Sequence, residues 1–231
     1  MKEVNVNKFD NNQQLTDVLC ERVATILTDA VAERGEATLV VSGGRTPKPL
    51  FEKLSRTSLP WSKVTILLAD ERWVLPDSDD SNDKFIKTTL LKNKAAQARY
   101  VGLFTAHQSA KSAELSQSQL IGTLPTFDAV ILGMGADGHT ASLFPCCDEL
   151  DVGMTGTQAV VATQPQSAPY ERLSLTRQRL LDSRHVFFHI TGDDKWTVLD
   201  AAMTHHDPKR YPVSDFVHDS PVPTEVFYAA A

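Results

Sequence analysis

The sequence predicts an α/β protein: a Rossmann-like, mostly parallel sheet with helices on both faces, read as a single domain over residues 1–231. Three observations carry this. Short apolar runs recur along the chain, ATLVV at 37–41, VTILLA at 64–69, FDAVIL at 127–132 and VFFHIT at 186–191. Several are apolar throughout, as strands covered on both faces are, and helical patterns alternate with them. At 231 residues and 42% hydrophobic content the chain can bury a sizeable core.

The elements follow in order. Val4–Phe9 reads as a short edge strand. Asn11–Arg34 reads as a helix, because Leu15, Val18, Leu19, Val23, Ile26, Leu27, Ala30 and Val31 recur at helical spacing. Gly35 ends it, and Ala37–Val41 is a strand. Thr46 before Pro47 is a cap and first-turn signal for a helix carrying Leu50, Phe51 and Leu54. Val64–Ala69 is the next strand. The polar loop PDSDDSND leads to a helix from Asn82, its cap, to Leu91. Arg99–Leu103 reads as a strand, Ala110–Leu120 as a helix, Phe127–Leu132 as a strand and His139–Phe144 as a short helix. Gln158–Thr163 and Arg172–Leu175 read as strands, Thr176–Leu181 as a short helix and Val186–Thr191 as a strand. Asp193–Met203 reads as a helix with Trp196, Leu199 and Ala202 on one side, Ser214–Val217 as helical and Thr224–Tyr228 as the last strand.

Composition excludes several classes of function. The net charge is −6 and the pI about 5.6, with no basic stripe to neutralise a nucleic-acid backbone. No run approaches the ~18 apolar residues of a membrane span, and the opening MKEVNVNKFDNNQQ has no apolar signal core. The three cysteines, Cys20, Cys146 and Cys147, give no disulfide framework, so a reducing cytoplasm is expected. The adjacent Cys146 and Cys147 have no basic neighbour in sequence to activate them. No HExxH, CxxC or GxSxG occurs. Asp77, Asp79 and Asp83 imitate a calcium loop but lack its glycine and its final glutamate. His205, His206 and Asp207 read as exposed residues near a helix end. No metal site and no cofactor are expected.

Chemistry concentrates at four strand ends, which this topology places on one edge of the sheet. The first is Gly133–Pro145, GMGADGHTASLFP. Its glycines allow a sharp turn and close approach to a ligand, and a following helix would offer free N–H groups to an anion. His139 titrates near neutrality and can act as a general base. Asp137 can orient that imidazole or close an Asx turn, the second being favoured. The segment otherwise reads as a βα turn with a solvated histidine.

The second is SGGRTP at 42–47, where Gly43 and Gly44 remove side chains and Thr46 offers a hydroxyl, as a phosphate cradle or a structural turn. The third is Asp70–Arg72. Arg72 can grip a phosphate and Asp70 or Glu71 can hold a sugar hydroxyl, unless the three form a solvated ion-pair cluster. The fourth opens the helix after Gly192, where Lys195 either reaches a phosphate or lies on the surface. Arg172, between APYE and LSLT, is a similar candidate.

In order and spacing, SGGRTP, DERWV with Ser81-Asn82, GMGADGHTASLFP and Gly192 with Lys195 resemble the 6-phosphogluconolactonase family over residues 37–200. The long glycine motif is specific; the others support it. The resemblance implies the fold shared with glucosamine-6-phosphate deaminase and ribose-5-phosphate isomerase, in agreement with the independent reading above. It implies hydrolysis of a phosphorylated sugar lactone with His139 as general base. Gly43, Gly44 and Thr46 would line the site near the phosphate, with Arg45 where many relatives carry serine. Arg72, Arg172 and Lys195 would be the basic contacts, and Asp70, Gly135 and Asp137 would shape the lactone end. The three alanines after the last strand imply a shortened closing segment. The deaminase is the main enzymatic alternative, but it follows its GxGxDGH with Asn-Glu-Pro, where this chain has Leu143-Phe144-Pro145, and carries DEY in place of DER. A non-catalytic sugar-phosphate-binding regulator is the other. The oligomeric state, monomer or homodimer, stays open.

Overall fold

The computed structural model describes residues 4–218 and 220–230. In chain order its elements are β1 (Asn5–Phe9), α1 (Asn12–Arg34), β2 (Ala37–Val41), α2 (Lys48–Arg56), β3 (Val64–Leu68), β4 (Asp70–Arg72), α3 (Asn82–Thr89), β5 (Arg99–Val101), α4 (Ala110–Gly122) and β6 (Ala129–Leu132). There follow α5 (Leu150–Thr155), β7 (Val160–Thr163), β8 (Arg172–Leu175), α6 (Arg177–Leu181), β9 (Val186–Thr191), α7 (Asp193–Thr204), α8 (Val213–His218) and β10 (Thr224–Ala229).

Seven strands form one sheet in the order β1-β10-β9-β6-β2-β3-β5, every neighbouring pair parallel. The predicted Rossmann-like class is therefore the observed one. β2 and β6 are buried throughout and β9 nearly so, which accounts for their mostly apolar sequences. From β2 the chain winds outward through β3 to β5. It then returns to β6 beside β2 and winds the other way through β9 to β10. Right-handed crossovers place α1 and α2 on one face and α4, α7 and α8 on the other. Phe188 packs edge-on against Phe216 of α8, so its neighbours Phe187 and His189 point to the α1 face. The reversal between β2 and β6 is the switch point at which such sheets hold ligands.

α1 is capped as its sequence requires. The Asn11 side chain accepts the Gln14 amide at 3.0 Å, and Gly35, at φ +80°, closes the far end.

Three expected details are corrected. Thr46 does not cap α2: Pro47 occupies the cap position, without a side-chain bond, and the Thr46 hydroxyl has no hydrogen-bond partner among the described residues. Ser81, not Asn82, caps α3, accepting the Lys84 amide at 3.2 Å, while Asn82 is the first helical residue. His139–Phe144 is not a helix. Gly138 and Ala141 take left-handed backbone, at φ +80° and +49°. The Thr140 hydroxyl binds the Gly133 carbonyl at 2.9 Å, and Pro145 keeps Phe144 out of helical conformation. No helix dipole therefore acts at this turn.

A second sheet was not foreseen. β4, β8 and β7 pair antiparallel, in the order β4-β8-β7. It puts Asp70–Arg72 beside Arg172–Leu175 above the carboxyl edge of the large sheet. The short helix α5 is also new.

Candidate active site

The ends of β2, β4, β6 and β8 and the start of α7 surround a cavity of about 220 Å³. Gly43, Gly44, Arg45, Thr46, Asp70, Arg72, Gly135, His139, Arg172 and Lys195 line it, so the four sequence constellations do converge on one edge. Asp137 stands behind His139 and does not line it. Sequence reasoning did not assign Asn82, Met134 and Ala141 to the wall, and it listed Ser42 only as the start of a loop.

Gly133 and the turn after it set His139. Asp137 Oδ1 accepts the His139 amide at 3.2 Å, which is the expected Asx turn, and also His139 Nδ1 at 2.5 Å. The two readings of Asp137 thus hold together. Burial pushes the Asp137 carboxyl up, but the bonds from His139 outweigh it and leave its pKa below the ordinary value. With Nδ1 engaged as donor, Nε2 is the basic nitrogen. Phe144 stacks on the imidazole, ring centroids 3.8 Å apart, and fixes its plane.

Gly135 lies directly under the ring: a Cβ there would fall inside His139 and against Asp137. Gly135→Ala is expected to lower turnover roughly a hundredfold, because the added Cβ displaces the His139 imidazole by about an ångström. Unchanged turnover in that variant would show that the imidazole position does not matter.

In place of a helix, buried hydroxyls hold the turn. Ser142 is fully buried; its hydroxyl donates to Asp70 Oδ2 at 2.6 Å and its amide to Ser174 Oγ at 3.1 Å. Thr163 Oγ1 donates to the Ser142 carbonyl at 3.1 Å. Asp70 is thereby fixed at the cavity wall with its other carboxylate oxygen available. Glu71 points away. It accepts the amides of Arg72, Asn82 and Asp83 at 2.7, 2.8 and 2.6 Å and anchors the start of α3. Burial drives its pKa up to about 7 against the pull of those three bonds. This anchoring sets Asn82, whose side chain donates to the Asp70 carbonyl at 2.9 Å and fills the space a Cβ on Gly43 would need.

The cavity is cationic although the chain is not. Arg45 is exposed at its rim. Lys195 is half-buried, with no ion pair among the described residues, and burial lowers its pKa. Arg72 and Arg172 stand directly opposite each other in the β4–β8 ladder, where like charges repel. Nε of each is buried without a partner. Burial lowers the pKa of Arg172 despite the Asp70 charge nearby. The amides of Gly43, Gly44, Arg45 and Thr46 donate to no acceptor among the described residues, and Gly44 sits at φ +102°. Such an array suits a multiply charged anion.

Among the described residues no group of three or more His, Cys, Asp or Glu side chains is placed to hold a metal ion. His206 binds Asp215 at 2.9 Å, and Asp79 and Asp83 pair with Lys84 and Lys87. No helix among the described residues is long and apolar enough to cross a membrane.

A family model described as glucosamine-6-phosphate isomerases/6-phosphogluconolactonase matches residues 10–223. The chain belongs to this family. Within it, a 6-phosphogluconolactonase of Pseudomonas putida is 38% identical over 227 residues, covering 97% of this chain and 93% of that one. A 6-phosphogluconolactonase of Mesorhizobium japonicum is 40% identical over 228 residues, covering 97% and 95%. The crystal structure of a 6-phosphogluconolactonase from Shewanella baltica superposes with a TM-score of 0.97 at 38% identity, over 100% of this chain and 99% of that one. A monomeric glucosamine-6-phosphate deaminase, at 18% identity and a TM-score of 0.82 over 98% of this chain and 97% of that one, shares the fold.

Proposed function

We propose that the chain is a lactone hydrolase that opens 6-phospho-D-glucono-1,5-lactone to 6-phosphogluconate, a step of the oxidative pentose phosphate pathway. The observation that carries this is His139, backed by Asp137, in one cavity with Arg72, Arg172 and Lys195. The relatives named above support the substrate. The free thiols of Cys20, Cys146 and Cys147 suit a cytoplasmic protein.

A lactone carbonyl is already electrophilic, so its hydrolysis requires neither a covalent intermediate nor a metal ion. The phosphate is held by the cations and the free amides at 43–46. His139 Nε2 takes a proton from a water as its oxygen attacks C1. Asp137 stabilises the imidazolium that forms. Backbone N–H groups or Arg72 stabilise the oxyanion. The tetrahedral intermediate collapses, the ring C–O bond breaks, and His139 returns the proton to the departing ring oxygen. Asp70 and Asn82 stand where sugar hydroxyls would be read. Phe144, on the imidazole, occupies the neighbourhood in which the deaminase pattern would require a glutamate.

The test is coupled oxidation of 6-phosphogluconate from freshly made lactone, measured over the spontaneous rate. Acceleration is expected; its absence overturns the reading. In the same assay Arg72→Ala and Lys195→Ala are expected to raise KM about ten- to hundredfold, the worth of a charge-assisted bond. If KM and turnover stay at parental values, the phosphate is held elsewhere.

A further inference from the structure

The arginine pair poses a physical problem. Arg72 and Arg172 are cross-strand partners of like charge, and neither guanidinium is recorded in an ion pair among the described residues. Each donates to one backbone carbonyl, and the Arg172 guanidinium also lies over the Phe144 ring, 5.1 Å from its centroid. Arg72 Nη1 donates to the Asp80 carbonyl at 2.7 Å, and Arg172 Nη2 to the Pro169 carbonyl at 3.3 Å. These carbonyls belong to two different loops, one between β4 and α3, the other between β7 and β8. One side-chain bond joins the two loops: the Tyr170 hydroxyl donates to Asp80 Oδ2 at 2.9 Å.

Tyr170 is otherwise an unexpected residue at its position. Its backbone lies at φ +73°, a conformation that a residue with a bulky side chain rarely adopts. The residue is 41% exposed, and its hydroxyl bond to Asp80 lies at the surface. The strained backbone is kept by its neighbours: the Glu171 carbonyl accepts the Trp73 amide at 2.7 Å, and Glu171 Oε2 accepts the Ala110 amide at 2.9 Å. What its hydroxyl does is close a ring of contacts that runs from Arg72 through Asp80 and Tyr170 to Pro169 and Arg172.

We infer that the Tyr170–Asp80 bond is a clasp that holds Arg72 and Arg172 at the separation needed to grip the substrate's phosphate together. The inference rests on the function proposed above. Tyr170 and Asp80 touch neither water nor lactone in the reaction; they are positioning residues, acting through the arginines. Without the clasp the two guanidiniums splay apart under mutual repulsion, and a bound dianion must pay to reunite them. The loss appears in binding, because the phosphate is engaged equally in the ground and transition states.

The test compares the parent with Tyr170→Phe, Asp80→Ala and the double variant. Tyr170→Phe removes one exposed oxygen and keeps the ring, so folding is preserved; equal melting temperatures verify this. Either single change is expected to raise KM for the lactone, and the calorimetric Kd for 6-phosphogluconate, roughly three- to tenfold, with kcat and its pH profile unmoved. The double variant should be no weaker than the weaker single one, since both remove the same bond. Parental KM and Kd in the singles, or full additivity in the double variant, overturns the clasp. Binding of inorganic phosphate is measured in parallel, because it needs no turnover. If the parent fails to accelerate lactone hydrolysis, the proposed function falls, while phosphate affinity in the same four proteins still decides whether Tyr170 sets the arginines.

Discussion

Exchange of His139 for glutamine is expected to lower turnover of the lactone by about 10²- to 10⁴-fold, the usual worth of a general base. Affinity for 6-phosphogluconate should stay within a few-fold of the parent, because the cations and free amides that hold the phosphate are untouched. The geometry makes this specific. Asp137 engages Nδ1 and leaves Nε2 open for the proposed proton transfer, and Phe144 and Gly135 fix the ring from its two sides. Asp137→Asn keeps the shape but removes the charge facing the imidazolium, so it should lower turnover by less than the His139 change and leave product binding alone. The measurement is the coupled assay over the uncatalysed background, with product affinity by calorimetry. Turnover in His139→Gln equal to the parent's would remove the base from the mechanism. Loss of product affinity together with turnover would make His139 a binding residue.

The second large effect concerns stability. His189 lies in β9, 2% exposed, on the face covered by α1, and neither ring nitrogen has a hydrogen-bond partner among the described residues. Burial, helped by the Lys195 charge, lowers its pKa from 6.5 to about 4. The unfolded chain therefore binds a proton at this residue near pH 6.5, whereas the folded chain binds it only near pH 4. Between those values the unfolded state carries more protons and stability rises with pH. The contribution is complete above about pH 6.5 and is lost as pH falls toward 4, on the order of 3 kcal/mol in all. His189→Leu keeps an apolar side chain of similar size and removes the proton site. Urea unfolding at pH 7 and pH 4 should show the parent losing that much more stability than the variant. Parallel losses in the two proteins would clear His189 of any role in acid sensitivity. At pH 7 the variant should be at least as stable as the parent, since no hydrogen bond is given up.

Much of the fold could be read before any coordinates. Strands buried on both faces are rich in apolar residues, and β2, β3, β6 and β9 announce themselves that way, interrupted only by Thr38, Thr65, His189 and Thr191. Helix ends were readable where the backbone itself demands the residue, as at Gly35, whose left-handed backbone closes α1; Asn11, expected inside that helix, is its cap. They were misread where two candidates adjoin, as at Ser81 and Asn82, or where the cap makes no bond, as at Pro47. The histidine turn was located correctly, but its helix was not formed. Thr140 and Ser142 fall within the expected helix, but their hydroxyls bind the Gly133 carbonyl at the start of the same turn and Asp70 from a distant strand.

The sequence by itself therefore determined the parallel sheet, the strand ends that bear chemistry and the identity of the charged groups, because each depends on residues close together in the chain. Only the tertiary structure decided how those groups meet. The pairing of β4 with β8, which sets Arg72 against Arg172, joins segments far apart in sequence. So does the packing of Asn82 over Gly43. Phe144 reaches His139 only because Gly138 and Ala141 reverse the chain between them and the strand before. Periodicity and local propensity carry no record of such contacts. They arise when the hydrophobic core draws distant segments together and buried polar groups must find partners across the space that remains.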